Sequence, residues 1–136
     1  MDLHQPAPEG TPLYVHLPFC VHKCPYCDFF SVDGKGEDVD GFLDTLLIEA
    51  AARAPKAPRT VFFGGGTPTY LDETQLERLL LRLDELTGFR SSAEEVTVEC
   101  NPESLTLPKA QLMRSLGVDR LSIGVQSLDP ATLAFF

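Results

Sequence analysis

Thr60-Val61-Phe62-Phe63-Gly64-Gly65-Gly66-Thr67-Pro68-Thr69 decides the fold. A short apolar strand runs straight into a glycine turn. Asp72 then stands as an N-cap, with Gln75 where a capping box wants it. Leu76, Leu79, Leu80, Leu83 and Leu86 recur at helical spacing, and Gly88 stops the run. The unit is strand, loop, helix.

The same unit recurs on both sides. Upstream, Leu13-Tyr14-Val15-His16-Leu17 alternates as a strand, and a cysteine-rich loop runs from Pro18 to Gly36. Val39, Phe42, Leu43, Leu46, Leu47 and Ala50 predict an amphipathic helix over residues 38–54, ended by Pro55 and Pro58. Downstream, Val96-Thr97-Val98-Glu99 is a strand. Leu112, Met113 and Leu116 mark a helix, with Pro108 near its start and Gly117 past its end. Leu121-Ser122-Ile123-Gly124-Val125-Gln126 is the fourth strand, and Asp129-Pro130 opens a fourth helix. Alternating strands and helices imply an α/β fold with parallel strands and right-handed crossovers. Four units are the front half of a (β/α) barrel. A closed eight-fold barrel takes roughly 200 residues or more, and this chain has 136. The expectation is an incomplete core over residues 13–136, a fragment or truncated product that exposes a sheet edge. Residues 1–12, with three prolines, read as a flexible leader.

The chain carries 20 Asp+Glu against 11 Lys+Arg, a net charge of −9. That balance argues against binding to nucleic-acid phosphates or anionic membrane surfaces. No apolar run approaches the roughly 20 residues of a membrane span, and the N-terminus lacks a signal-peptide pattern. A cytoplasmic location is expected, where disulfides are rare.

Strand phase locates the site. Tyr14 and His16 oppose Leu13, Val15 and Leu17. Thr97 and Glu99 oppose Val96 and Val98. Ser122, Gly124 and Gln126 oppose Leu121, Ile123 and Val125. The apolar faces should meet the helices, leaving the polar faces to line a ligand-holding interior, since buried polar groups need partners.

Cys20-Val21-His22-Lys23-Cys24-Pro25-Tyr26-Cys27 places three thiols in a loop just after a strand. Three thiolates this close converge on one inorganic centre. An iron–sulfur cube on three cysteines and a zinc loop both suit the spacing, and unlinked thiols are the bland alternative. Gly64-Gly65-Gly66-Thr67-Pro68 is either a plain tight turn or a loop whose N–H groups meet a ligand, but it lacks the lysine of a Walker loop. Glu99 is a solvated carboxylate or an interior one, and its phase favours the interior. Cys100 points away from Glu99 and reads as a buried free thiol. His16 and His22 could be taken as ligands of a prosthetic group, but an interior hydrogen bond suits His16 better and a solvated loop position suits His22.

Cys20-x-x-x-Cys24-x-x-Cys27 after a strand resembles the signature of radical S-adenosylmethionine proteins. Further motifs follow in order: Tyr14-Val15-His16-Leu17-Pro18-Phe19-Cys20, Cys24-Pro25-Tyr26-Cys27-Asp28-Phe29, Phe63-Gly64-Gly65-Gly66-Thr67-Pro68-Thr69, Glu99-Cys100-Asn101-Pro102 and Arg120-Leu121-Ser122-Ile123-Gly124-Val125-Gln126-Ser127. Together they are similar to the HemN/HemW family of oxygen-independent coproporphyrinogen III dehydrogenases and related haem chaperones. The resemblance implies a 4Fe–4S cluster on Cys20, Cys24 and Cys27, with S-adenosylmethionine chelated at its open iron and cleaved to a 5′-deoxyadenosyl radical. It implies that Gly65 meets the amino group of S-adenosylmethionine, with Gly66 and Thr67 close by, and that Glu99 holds the ribose hydroxyls. It also makes Gln126 and Tyr14 ligand contacts and lays Tyr26 against the adenine.

Phe29 stands where the dehydrogenase branch carries a further cysteine. The resemblance therefore leans to the HemW branch. It implies a haem chaperone that binds haem or porphyrin and passes it to acceptor proteins, membrane-bound ones by peripheral contact, with an electron donor for the cluster. The alternative is coproporphyrinogen III decarboxylation to protoporphyrinogen IX. A zinc-binding interaction module is the distant third.

Overall fold

A computed structural model describes residues 5–20, 32–125 and 127–134. Four parallel strands form the main sheet in the order β1, β4, β5, β6: Leu13–Leu17, Thr60–Gly65, Glu95–Cys100 and Arg120–Ile123. The helices α1 (Val39–Arg53), α2 (Glu73–Thr87) and α4 (Leu107–Ser115) connect them. Consecutive strands of the sheet are spatial neighbours, as a βα-barrel wall requires.

Local chemistry sets the helix ends. Asp38 caps α1 by accepting the Gly41 N–H at 2.9 Å. The capping box of α2 forms as its sequence predicts: Asp72 accepts the Gln75 N–H at 2.8 Å, and the Gln75 side chain accepts the Asp72 N–H at 3.0 Å. Gly88 closes α2 at a φ of 72°, a left-handed conformation that favours glycine. Thr106 caps α4, with Pro108 in its first turn.

One core lies between the sheet and the helices. Val15, Leu17, Val61, Phe63, Val96 and Val98 meet Leu43, Leu47, Leu76, Leu79, Leu80, Leu83 and Met113. Cys100 belongs to this cluster, on the helix side its phase predicts. The opposite face of the sheet is not uniformly polar. Tyr14, Phe62, Thr97 and Arg120 share one row of the register, and the Tyr14 and Phe62 rings stack at 6.0 Å.

Several elements have no counterpart in the sequence reading. A two-residue parallel pair, β2 (Phe19–Cys20) with β3 (Val32–Asp33), brackets the cysteine loop. A 3₁₀ turn (Pro68–Tyr70) follows the glycines, and a short helix, α3 (Phe89–Ser92), follows Gly88. The fourth strand ends at Ile123, short of the expected Gln126. The short helix α5 (Pro130–Leu133) starts after Asp129, which caps it through the Thr132 N–H at 3.0 Å. The Ala7 N–H donates to the Arg53 carbonyl at 3.1 Å and the Gly10 N–H to the Lys56 carbonyl at 3.0 Å. No helix among the described residues is long and apolar enough to cross a membrane.

Candidate functional site

The C-terminal ends of β1, β4 and β5 meet at one point, where βα-barrels place their chemistry. Each strand delivers a different kind of group. β1 supplies Tyr14 and His16, whose Oη and Nδ1 lie 3.0 Å apart. β4 supplies the glycine loop, and β5 supplies Glu99. His16 thus has a hydrogen-bond partner on this face, but the bond is an exposed one to the residue two positions before it rather than an interior one.

The three glycines do different work. A Cβ on Gly64 would meet the Glu99 Oε2 at 3.1 Å, so its bareness lets the carboxylate lie over the strand. Gly65 has a φ of +113°, and a Cβ there would meet the His16 ring at 2.8 Å. A Cβ on Gly66 would lie 2.6 Å from the Phe19 carbonyl oxygen and 2.8 Å from that of Pro18. Backbone passes against backbone at this point. The Gly66 N–H donates to the Leu17 carbonyl at 2.8 Å and the Thr67 N–H to the Phe19 carbonyl at 2.7 Å. The glycine loop is thus stitched to the strand end that leads into the cysteine loop.

Thr67 is buried, and its hydroxyl points at the Cys20 sulfur, 4.0 Å away. Cys20 itself is half-buried, and its carbonyl accepts the Gly34 N–H at 2.8 Å. Of the expected ligand set, Cys24 and Cys27 lie outside the described residues, as do Tyr26 and Gln126. Among the described residues no cluster of three or more His, Cys, Asp or Glu could hold a metal. The donor chemistry nevertheless fits an iron–sulfur centre: three thiols within eight positions, the first at this strand end beside a hydroxyl donor.

Electrostatics mark Glu99. Burial pushes its carboxyl above the usual carboxylate range, while the Gly65 N–H that it accepts and the nearby His16 draw it partly back. Burial, and then the Glu99 charge, raise the Tyr14 phenol. The same two causes, in the same order, push the Cys100 thiol up to about 11, which makes it an inert packing group.

Sequence reading missed one buried polar network beside this site. Thr69, fully buried, pairs its hydroxyl with that of Ser104 at 2.7 Å. The Lys109 Nζ donates to the Thr69 and Ser104 carbonyls at 2.8 and 3.0 Å. The available signal was Thr106-Leu107-Pro108-Lys109, a helix start with lysine where a capping box carries an acid or amide.

A parallel half-barrel with its thiol loop after the first strand, a glycine loop after the second and a carboxylate ending the third defines a class. The chain belongs to the radical SAM superfamily, whose family model matches residues 14–136. It is 38% identical over 120 residues to the haem chaperone HemW of Bacillus subtilis, covering 85% of this chain and 32% of that protein. It is 37% identical over 126 residues to the haem chaperone HemW of Escherichia coli, covering 89% and 33%. It is also 38% identical over 122 residues to the oxygen-independent coproporphyrinogen III oxidase of Salmonella typhimurium, covering 86% and 26%. Among solved structures it matches the Escherichia coli coproporphyrinogen III oxidase HemN, a radical SAM enzyme, with a TM-score of 0.77 and 30% identity over 93% of this chain and 30% of that one. The chain spans about a third of the length of the curated relatives it matches.

Proposed function

We propose that this chain is the cofactor-holding part of a haem chaperone of the HemW kind. Phe29 carries the choice. It replaces a thiol with a ring that can neither ligate iron nor exchange a proton, in a run similar to the chaperone branch. The similarity to several HemW proteins supports the same reading.

In this reading Cys20, Cys24 and Cys27 hold a 4Fe–4S cluster. Such a cluster, when bound, supplies one-electron reduction and an open iron for S-adenosylmethionine. The protein's own groups bind and orient. Gly65 offers backbone to the methionine end of S-adenosylmethionine, with Gly66 and Thr67 behind it. The Glu99 carboxylate suits the two ribose hydroxyls. Gln126 and Tyr26 complete the ligand contacts. Tyr14, its phenol raised, stays protonated at neutral pH and remains a neutral donor. The full-length protein would take haem or porphyrin, deliver haem to acceptor proteins, some reached by peripheral contact at a membrane, and draw on an electron donor in the reducing cytoplasm.

The dehydrogenase reading is favoured by two observations, the structural match to coproporphyrinogen III oxidase and the 38% identity to the Salmonella typhimurium oxidase. A single pair of experiments separates the two readings. Full-length protein, reconstituted anaerobically, is titrated with haem and assayed with S-adenosylmethionine, reductant and coproporphyrinogen III. Haem binding without protoporphyrinogen IX is the expected result. Catalytic turnover would overturn the chaperone assignment.

A further inference from the structure

Lys109 occupies the third position of α4, three residues after its cap Thr106. Glu or Gln there would complete a capping box, as Gln75 does in α2. A cation in the first turn also opposes the helix dipole. Lys109 breaks both rules, and positions that break local rules are where function is expected.

Its ammonium bridges two carbonyls, Thr69 at 2.8 Å and Ser104 at 3.0 Å. Thr69 lies in the 3₁₀ turn that follows the glycine loop, and Ser104 lies in the turn that follows β5. The Thr69 and Ser104 hydroxyls join the same two segments at 2.7 Å, and the Asn101 N–H donates to the Thr69 hydroxyl at 3.4 Å. The backbone register between β4 and β5 ends at Phe63 and Val98. Gly65 and Glu99 both lie beyond that last pair. The Gly65 N–H reaches the Glu99 carboxylate directly, and beyond that contact the two segments are held together by the ties downstream, of which the charge-assisted hydrogen bonds are the strongest.

We propose that Lys109 is a positioning residue that sets the spacing between the glycine loop and the end of β5, and so matches the site to a ligand spanning both. The inference rests on the reading above, in which the methionine end of S-adenosylmethionine lies at Gly65 and its ribose at Glu99. A spanning ligand gains from correct spacing because its second contact becomes intramolecular, whereas a ligand touching one segment does not.

The test uses full-length protein with its cluster reconstituted anaerobically, and three probes: S-adenosylmethionine, methionine alone and 5′-deoxyadenosine alone. Lys109→Met should weaken S-adenosylmethionine binding about tenfold, the size seen when a supporting partner is removed from a site. The affinities for methionine and for 5′-deoxyadenosine should stay at the parent values, and Lys109→Arg should restore much of the loss. Unchanged S-adenosylmethionine affinity would overturn the proposal. Parallel weakening of all three probes would overturn it too, because that marks general loosening. Should Lys109→Met fail to fold, Lys109→Gln, which keeps a neutral donor, is judged by the same criteria. If the parent protein binds no S-adenosylmethionine, the reading of the site falls first, and that outcome is distinct from a parent that binds it and a variant that binds it equally well.

Discussion

Glu99 is held in a place that suits a ligand better than it suits the fold. Burial raises its carboxyl above the usual range, so the folded chain binds that proton more tightly than the unfolded chain does. Stability should therefore fall as pH rises from the ordinary carboxylate range through the raised folded value. Glu99→Gln keeps an acceptor for the Gly65 N–H and removes the charge. Urea unfolding across pH should show that variant more stable than the parent at neutral pH, with the fall across the window flattened, while its S-adenosylmethionine affinity drops. Lower stability at neutral pH would contradict this account. Gly66 gives a second expectation. A Cβ there presses on the backbone of Pro18 and Phe19, atoms that cannot rotate away, so Gly66→Ala should cost about 1–3 kcal/mol. Gly124→Ala is the control, because its nearest neighbour would stand 3.9 Å away. Equal unfolding midpoints for the two variants would show that the loop yields. The sequence placed Glu99 and Cys100 on opposite faces by period alone. It could not reveal why Gly66 must be bare, since that depends on two carbonyls some 47 positions upstream brought close only by β1–β4 pairing.

Long periodic elements were legible and short ones were not. The leucine stripe, the capping box and Gly88 fix α2 with no help from tertiary structure, and each appears where its residue types place it. Strands β2 and β3 have two residues each, too few to show a period. The 3₁₀ turn hides behind Gly-Thr-Pro, a pattern equally suited to a plain turn. The capping box supplies the expectation for this scale. Asp72→Ala removes the acceptor of the Gln75 N–H and should cost about 1 kcal/mol, seen as a lower unfolding midpoint with the site spectroscopically intact. A loss of S-adenosylmethionine affinity as large as that of a site variant would mean that α2 orients the glycine loop directly.

At the scale of the molecule, the parallel order followed from strand–helix alternation, and the structural match agrees with it. The uneven inner face did not follow, because Phe62 puts a large ring into a row expected to be polar. Ile123 at the end of the sheet's last strand and Val125 just beyond it are about half exposed, and Leu128 is 91% exposed. Expressed alone, the 136-residue chain should self-associate through that edge. A monodisperse monomer in sedimentation at tens of micromolar would contradict this.

The central claim is that Cys20, Cys24 and Cys27 act together as the ligands of one iron–sulfur cluster while Cys100 packs the core. Anaerobic reconstitution with iron and sulfide, read by iron content and by electron paramagnetic resonance of the reduced protein, tests it most directly. The account predicts a 4Fe–4S signal in full-length protein, abolished by Cys20→Ala, Cys24→Ala or Cys27→Ala and kept by Cys100→Ala, and altered by added S-adenosylmethionine. Tight zinc binding with no iron uptake, or loss of iron from Cys100→Ala equal to that from Cys20→Ala, would contradict it.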